Sequence, residues 1–142
     1  MVGLILAVNG AKGEPVSPRF FEALAVVESN NDDWAIGDKH LRQRAYGALQ
    51  IRQPICDDYN RHHQTRHRAA DLRGRRATAE KIARWYLIHY ANRRTLGRAP
   101  TFADYARIWN GGPDGWKQKG TEKYWGKVKR VLADKKKKGG RR

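Results

Sequence analysis

The segment from residue 17 to residue 33 carries the signals of one short amphipathic helix, and it constrains the fold more than any other part of the chain. Ser17 and Pro18 mark a helix start, because a serine hydroxyl can accept a backbone N–H and proline suits the first helical position. The side chains that follow at helical spacing share one face: Phe21, Leu24, Ala25 and Glu28. The polar run 29–33 then ends the helix.

Helix signals of the same kind recur along the chain. The predicted helices are one from Pro54 to Asn60, one from a Thr78 cap to Arg94, one from a Thr101–Asp104 capping box to Trp109, and a last one capped by Thr121. Between them, residues 34–53 are predicted to be irregular, 61–76 exposed and 110–115 a turn. The pattern predicts a mostly α fold of about five or more helices with long loops.

The length of 142 residues fits a single domain, and 39% hydrophobic residues can fill its core. No apolar run approaches the ~20 residues of a membrane span. The run Val2–Val8 is short for an export signal and has no basic residues before it, so we expect a buried segment or weak strand, with a trimmed signal as the alternative. Cys56 is the one cysteine, which excludes an internal disulfide.

Positive charge is concentrated in the second half of the chain. Residues 1–60 carry six basic and eight acidic side chains, whereas residues 61–142 carry 24 basic and six acidic ones. The net charge of +16 attracts polyanions, such as nucleic acid, anionic lipid or an anionic cell wall, without distinguishing among them. The basic end, residues 134–142, is predicted to be a solvated, disordered tail.

Glu28 lies on the apolar face of the first helix, at its C-terminal end. Burial and the negative end of the helix dipole both disfavour a carboxylate there, so its pKa is expected to rise toward neutrality. Such a carboxyl group suits a general acid. From position alone, a solvated glutamate at a fraying helix end remains the alternative.

The residues around Glu28 resemble those of the soluble lytic transglycosylase and goose-type lysozyme family. In that family a catalytic Glu-Ser pair precedes a Gly-Leu-Met-Gln-Ile-like segment. The matching segments occur in the family's order over residues 17–133, and they are Glu28-Ser29-Asn30, Tyr46-Gly47-Ala48-Leu49-Gln50-Ile51, Glu80–Leu87, Ile108-Trp109-Asn110-Gly111-Gly112-Pro113 and Thr121–Val128. The resemblance implies a lysozyme-like domain over residues 17–133, after an N-terminal segment 1–16, with a cleft that binds a glycan.

The resemblance also implies an activity, which is cleavage of the β-1,4 bond between N-acetylmuramic acid and N-acetylglucosamine in peptidoglycan. Glu28 would be the acid, and in a transglycosylase it would then act as base toward the muramic acid C6 hydroxyl. Ser29 and Gln50 would contact the substrate, and Asn110 and Gly111 would line the cleft. Two aromatic residues are expected beside them: Tyr124, orienting Glu28, and Trp109, where the family usually has tyrosine. No metal or cofactor is implied.

A hydrolytic lysozyme would need an activated water instead of the C6 hydroxyl. In an inverting enzyme a second carboxylate lies ~6.5–9.5 Å from the first. The candidates for it are Asp32, Asp33 and Asp38. Aspartates in loops are more often caps and turn formers, so both reaction types stay open at this point.

Other chemistry-bearing residues favour ordinary structural roles. His63 and His67 have the i, i+4 spacing of a helical zinc pair, but no third ligand accompanies them. His89 is expected to be a hydrogen-bonded core residue and Cys56 a buried small hydrophobe. Of the tryptophans, Trp109 and Trp34 are the candidates for a cleft.

The sequence therefore leaves two classes of function. The first is a monomeric enzyme that acts on the cell wall, like the small lytic enzymes of phage or bacterial envelopes, held there by its basic half. The second is a basic protein on the same scaffold that binds nucleic acid non-specifically, or binds the cell wall, without catalysis. A nucleic-acid binder would lose affinity steeply with salt and would not depend on Glu28.

Overall fold

The computed structural model describes residues 13–140, with side chains as far as Lys135, so the predicted segment Val2–Val8 lies outside the described residues. The elements in chain order are helix α1 Pro18–Ser29, strands β1 Ile36–Gly37 and β2 Ala45–Tyr46, and helices α2 Gln53–His63, α3 Arg76–Tyr90, α4 Arg93–Leu96, α5 Phe102–Gly111 and α6 Glu122–Gly140. Short 3₁₀ turns lie at Ala69–Leu72, Gly115–Lys117 and Lys119–Thr121. The fold is mostly helical, as the sequence predicts. Within the described range no helix combines the length and apolar composition of a membrane span.

Helix α1 lies at the centre of the core because its apolar side is completely covered. Its fully buried side chains are Phe20, Phe21, Ala23, Leu24 and Ala25. Helix α6 packs against α1 and α5, while α3 packs against α2 and α5. Phe20 stacks on Phe102 of α5 with ring centroids 5.4 Å apart. The core therefore joins α1 to α5 and α6, although these helices are far apart in sequence.

Both ends of α1 follow from local chemistry. The Ser17 hydroxyl accepts the Phe20 N–H, which confirms the predicted cap. At the other end Asn30 takes a left-handed conformation with φ 55° and donates its N–H to the Val26 carbonyl. This stop places Glu28 in the last turn of the helix.

Residues 34–53 contain order that the sequence does not reveal. Strands β1 and β2 pair antiparallel, with Ile36 opposite Tyr46 and Gly37 opposite Ala45. Tyr46 also forms a bridge to Ile51. The prediction of an irregular stretch is therefore wrong at this hairpin, because strands of two residues are too short to show a period-two pattern.

The third helix is shorter than predicted at its C-terminal end and starts without the predicted cap. Helix α3 begins at Arg76 after Arg75, so Thr78 lies inside it, and it ends at Tyr90. Asn92 then accepts the Thr95 N–H and starts the separate helix α4. An asparagine side chain that bonds the backbone in this way competes with continuation of the helix.

Of the caps predicted for the last two helices, one is present and the other is absent. The Thr101–Asp104 capping box of α5 is confirmed. Thr121 does not cap α6, because its hydroxyl donates to the Gly115 carbonyl at 2.7 Å and accepts from Arg107. The α6 backbone remains helical to Gly140, so residues 134–140 are not the disordered tail that their composition predicts.

The basic stretch 61–76 is less uniform than its composition suggests. Its first residues complete α2, which ends at His63 rather than Asn60. Ala69 and Leu72 are buried in a 3₁₀ turn, so their apolar side chains tie the stretch to the core. The prediction of an exposed segment holds for the charged side chains around them, such as Arg66 and Arg68.

Candidate active site

A cleft of about 440 Å³ lies between the end of α1, the hairpin and the end of α5. Five regions of the chain form its walls. The lining residues are Glu28 of α1, Gly37, Asp38, Ala45 and Gln50 of the hairpin region, Arg52, Pro54 and Ile55 at the start of α2, Tyr86 of α3, and Trp109, Asn110 and Gly112 at the end of α5. The cleft therefore collects five residues that the sequence singles out, and these are Glu28, Asp38, Gln50, Trp109 and Asn110.

Glu28 is held by two hydrogen-bond donors on one oxygen. The Trp109 indole N–H and the Tyr124 hydroxyl each donate to Oε2 at 3.2 Å. These donors come from α5 and α6, which the core packs beside the last turn of α1. Among the described residues no hydrogen bond reaches the other oxygen, Oε1.

Burial raises the pKa of Glu28 from 4.5 to about 7. The hydrogen bonds from Tyr124 and Trp109 and the charge of Arg52 oppose this rise, while the charge of Asp38 adds to it. Burial is thus the dominant cause, and it is one of the two expected from the sequence. Burial and the neighbouring Glu28 also raise the pKa of Tyr124, so its phenol keeps its proton.

Asp38 and Arg52 form an ion pair in the cleft wall. Asp38 has φ 53°, a left-handed conformation at the end of β1, and Arg52 also donates to the Gln43 carbonyl. No motif in the sequence singles out Arg52. Its position two residues after Gln50, directly after the segment that resembles the transglycosylases, is the one signal that could have found it.

The other two candidate aspartates hold loops together and do not line the cleft. Asp32 accepts the Trp34 N–H at 2.9 Å, and Asp33 pairs with Arg76 at 2.6 Å. Both contacts are of the capping and bridging kind that loop aspartates usually make. Of the three, Asp38 alone lines the cleft.

Gln50 and Gly37 form the tightest part of the hairpin wall. Gln50 has φ 55° and donates its side-chain amide to the Gly47 carbonyl at 3.0 Å. Its Oε1 lies against Gly37, where an added Cβ would come within 2.0 Å. Gly37 is therefore required for the approach of this amide to β1.

Ser29 and Gly111 lie beside the cleft rather than in its lining. The Ser29 hydroxyl donates to the Ala48 carbonyl at 2.8 Å and accepts the Asp32 N–H at 3.0 Å, so it ties α1 to the hairpin. Gly111 packs against Thr121 and Gln118, and its neighbour Gly112 lines the cleft instead. These backbone contacts engage the Ser29 hydroxyl, and its contact with substrate stays a prediction.

Two aromatic and histidine features lie outside the cleft. Trp34 is 63% exposed and packs on Gly74 with the Arg73 guanidinium 5.7 Å from its ring, so its expected place in the cleft is wrong. His89 is exposed and stacks on Trp85, so it is not the core residue expected from its helix face. Within residues 13–135 no three side chains gather as metal ligands. Cys56 is buried, as predicted.

Comparisons with known proteins extend the description of the fold. No protein-family model and no curated protein sequence matches the chain. A chain of the crystal structure of Aeromonas hydrophila PliI in complex with Meretrix lusoria lysozyme is similar, with a TM-score of 0.69 and 22% identity over 82% of this chain and 90% of that one.

Two further structures agree with it. Tapes japonica lysozyme gives a TM-score of 0.65 with 24% identity, covering 79% of this chain and 87% of that one. Inhibitor-bound lysozyme from Meretrix lusoria gives 0.64 with 22% identity, covering 84% and 93%. The goose-type and transglycosylase details of the sequence resemblance find no specific support in these matches. What the likeness shows is that the chain has a lysozyme-like fold.

Proposed function

We propose that the protein is a glycosidase that cleaves the β-1,4 bond between N-acetylmuramic acid and N-acetylglucosamine in peptidoglycan. The observation that carries the proposal is Glu28, a carboxyl group in a cleft whose pKa is raised to about 7. At pH 5–7 this group holds a proton that it can give to a leaving glycosidic oxygen. The lysozyme-like fold supports the same assignment.

The hydrogen bonds at Glu28 fit the first step of the reaction. Two donors on Oε2 make it the carbonyl oxygen of the acid, so the proton resides on Oε1. As the C1–O bond breaks, its electron pair goes to the glycosidic oxygen, which takes that proton. The resulting Glu28 carboxylate is then stabilised by the Tyr124 hydroxyl and the Trp109 N–H.

We assign Asp38 to the second step of the reaction, in which water attacks the sugar carbon. It lines the cleft beside Glu28 and is an ion-paired carboxylate, whereas Asp32 and Asp33 do not reach the cleft. Such a group can direct a water toward the sugar carbon or stabilise the oxocarbenium-like centre. Its presence favours hydrolysis over the alternative, in which Glu28 acts as base and a 1,6-anhydro ring forms.

Muropeptide mass spectrometry tests both steps. Purified peptidoglycan is incubated with the wild type, Glu28→Gln, Asp38→Asn and the control Asp32→Asn at pH 5–7. We expect reducing ends from the wild type and the control, no products from Glu28→Gln, and at least a tenfold slower release, about 1.4 kcal/mol or more in the barrier, from Asp38→Asn. Products with 1,6-anhydro ends would show that the enzyme is a transglycosylase and not a hydrolase. Full activity of Glu28→Gln would contradict the assignment of Glu28 as the catalytic acid.

The same experiment addresses the alternative of a binding protein without catalysis. Glu28→Gln keeps an oxygen that can accept from Tyr124 and Trp109, so its fold and binding should remain. Persistent lysis of cells by this variant would show that the basic surface acts instead. The proposed place of action is the cell wall, in the periplasm, outside the cell or in association with phage, and the basic half would hold the protein on that anionic envelope.

A further inference from the structure

The loop between β1 and β2, residues 39–44 and here called the hairpin loop, concentrates positive charge at the cleft. It carries Lys39, Arg42 and Arg44 and no acidic residue, and all six of its residues are exposed. Residues 1–60 hold six basic side chains in total, and their remaining part is acidic. Half of the basic side chains of residues 1–60 thus lie in one six-residue segment, and the residues on either side of it, Asp38 and Ala45, line the cleft.

Contacts at both ends hold the hairpin loop at the edge of the cleft. It leaves from Asp38 and returns at Ala45, and both residues line the cleft. The Leu41 N–H donates to the Asp38 carbonyl at 2.8 Å, which closes a turn at the start of the loop. Arg52 donates to the Gln43 carbonyl, which ties the far end of the loop to the cleft wall.

The three cations of the loop have no partner among the described residues. Neither an ion pair nor a side-chain hydrogen bond reaches Lys39, Arg42 or Arg44, whereas Arg52 nearby pairs with Asp38. Unpaired like charges within six residues repel one another, and no ion pair or side-chain hydrogen bond within residues 13–135 offsets that repulsion. An anionic group of the ligand would offset it.

We propose that the hairpin loop binds carboxylates of the substrate and so selects acidic glycan over neutral glycan. The inference rests on the proposed function, because it concerns what enters the same cleft. Peptidoglycan offers two kinds of carboxylate. Where a stem peptide is attached, the carboxylates are those of the peptide, because its amide bond uses the lactyl carboxyl of muramic acid. Where the peptide is absent, the lactyl carboxylate itself is free. A polymer of N-acetylglucosamine alone carries neither. The loop would therefore set substrate choice by charge, while Glu28 performs the chemistry.

Binding to a non-cleaving protein tests the inference without relying on activity. In the Glu28→Gln background we compare the loop intact with Lys39→Gln, Arg42→Gln and Arg44→Gln combined. The ligands are muramyl-containing oligosaccharides with stem peptides, the same oligosaccharides with the peptides removed, and N-acetylglucosamine oligomers of equal length. Isothermal titration gives each Kd at low and at physiological salt.

We expect the intact loop to bind the peptide-bearing ligand most tightly and the neutral oligomer least tightly. The triple variant should weaken binding of the peptide-bearing ligand about tenfold, because three exposed charge contacts are each worth a few-fold. Its affinity for the neutral oligomer should stay unchanged. If only the peptide-bearing ligand responds, the stem peptide is the source. If the peptide-free ligand responds equally, the loop also binds the lactyl carboxylate that removal of the peptide frees.

A matched variant separates local recognition from net charge. Arg66→Gln, Arg68→Gln and Arg94→Gln combined remove the same charge from exposed positions outside the cleft lining. This variant should keep the preference for the acidic ligands. Equal loss in both triple variants, or equal effects of the loop variant on neutral and acidic ligands, would overturn the inference.

The outcome for the loop is distinguishable from the outcome for the enzyme. Absence of cleavage by the wild type, with charge-selective binding intact, would refute the proposed function and leave the loop as a carboxylate-binding element. Cleavage that depends on Glu28 but shows no charge preference would support the proposed function and refute the inference about the loop. On the active protein, the loop variant should raise KM for peptide-bearing glycan about tenfold while kcat stays within twofold, since the charge contacts are the same in the ground and transition states.

Discussion

At the scale of single residues, Glu28 balances opposing effects on one carboxyl group. Burial raises its pKa, while the Tyr124 and Trp109 donors on Oε2 and the charge of Arg52 lower it. The resulting pKa of about 7 is high enough to retain a proton and low enough to release it in the proposed reaction. Donors that stabilise the carboxylate also help the step that forms it. Burial therefore sets the pKa of Glu28 above its usual value, and the neighbouring donors and Arg52 limit the rise.

The raised pKa of Glu28 predicts a pH-dependent stability. The folded protein binds more protons than the unfolded chain between pH 4.5 and about 7, so its stability falls as the pH rises through that window. The full shift corresponds to at most about 3 kcal/mol. Glu28→Gln lacks this loss, so its stability relative to the wild type should rise by about 2–3 kcal/mol from pH 4 to pH 8. Urea unfolding at both pH values measures it.

Glu22→Gln is the control for that measurement. Glu22 is an exposed residue on the same helix, so its replacement removes a carboxyl group without removing a buried one. We expect its stability difference from the wild type to change little between the two pH values. A pH-independent difference for Glu28→Gln would contradict the raised pKa.

The two donors to Glu28 are predicted to differ in strength. Tyr124 lowers the pKa of Glu28 more than Trp109 does. Tyr124→Phe and Trp109→Phe should therefore both raise this pKa, with the larger rise in the tyrosine variant. Carbon NMR of the labelled carboxyl group reports it directly, and the alkaline limb of the activity profile should move the same way. A lowered pKa in either variant would show that the hydrogen bond favours the neutral acid.

At the scale of elements, sequence signals located the helices with caps more accurately than the elements held by distant contacts. The Ser17 cap and the Thr101–Asp104 capping box are local, and both are confirmed. The β1–β2 hairpin was missed because its strands span two residues each. The break at Asn92 was missed because a helical pattern in sequence does not show which carbonyls a side chain will compete for.

In the candidate site, too, the residues in local sequence motifs are predictable and those held by contacts between distant elements are not. Glu28, Gln50, Trp109 and Asn110 were found through motifs, and the structure brings all four to one cleft. Arg52 was not found, because its pairing with Asp38 depends on how the hairpin meets α2. An ion pair between separate elements leaves no spacing in the sequence that distinguishes it from two solvated charges.

The junction after α5 offers a test of how closely the elements pack. An added Cβ at Gly115 would lie 2.1 Å from the Arg107 carbonyl oxygen, whereas nothing lies within 4 Å of one at Gly120. Gly115→Ala should therefore destabilise the protein by roughly 1–3 kcal/mol, as overpacking against backbone does, and Gly120→Ala should cost under about 1 kcal/mol. Thermal and urea unfolding compare them. Equal stabilities would show that the 3₁₀ turn can move away from α5.

At the scale of the whole molecule, the cleft and the excess positive charge are joined through α6. Tyr124 on its inner side donates to Glu28, while Lys123, Lys127 and Arg130 are exposed on the same helix at i, i+4 and i+7 spacing. Among the described residues none of these three forms an ion pair, although Lys135 pairs with Glu22 of α1. The helix thus places a row of cations on its outer side and a hydrogen-bond donor to Glu28 on its inner side.

This arrangement predicts that binding to intact walls depends on salt. In the Glu28→Gln background, sedimentation with purified sacculi should show affinity falling steadily from 50 to 200 mM salt, because bound cations displace the counterions of the polymer. Lys123→Gln, Lys127→Gln and Arg130→Gln combined should weaken binding at low salt and reduce the slope, while the two proteins converge at high salt. Affinity that is high and independent of salt would place wall binding in the cleft alone. Equal affinity for DNA at every salt concentration would instead mean that the positive row does not select the wall, and that the specificity of the protein resides in the cleft around Glu28.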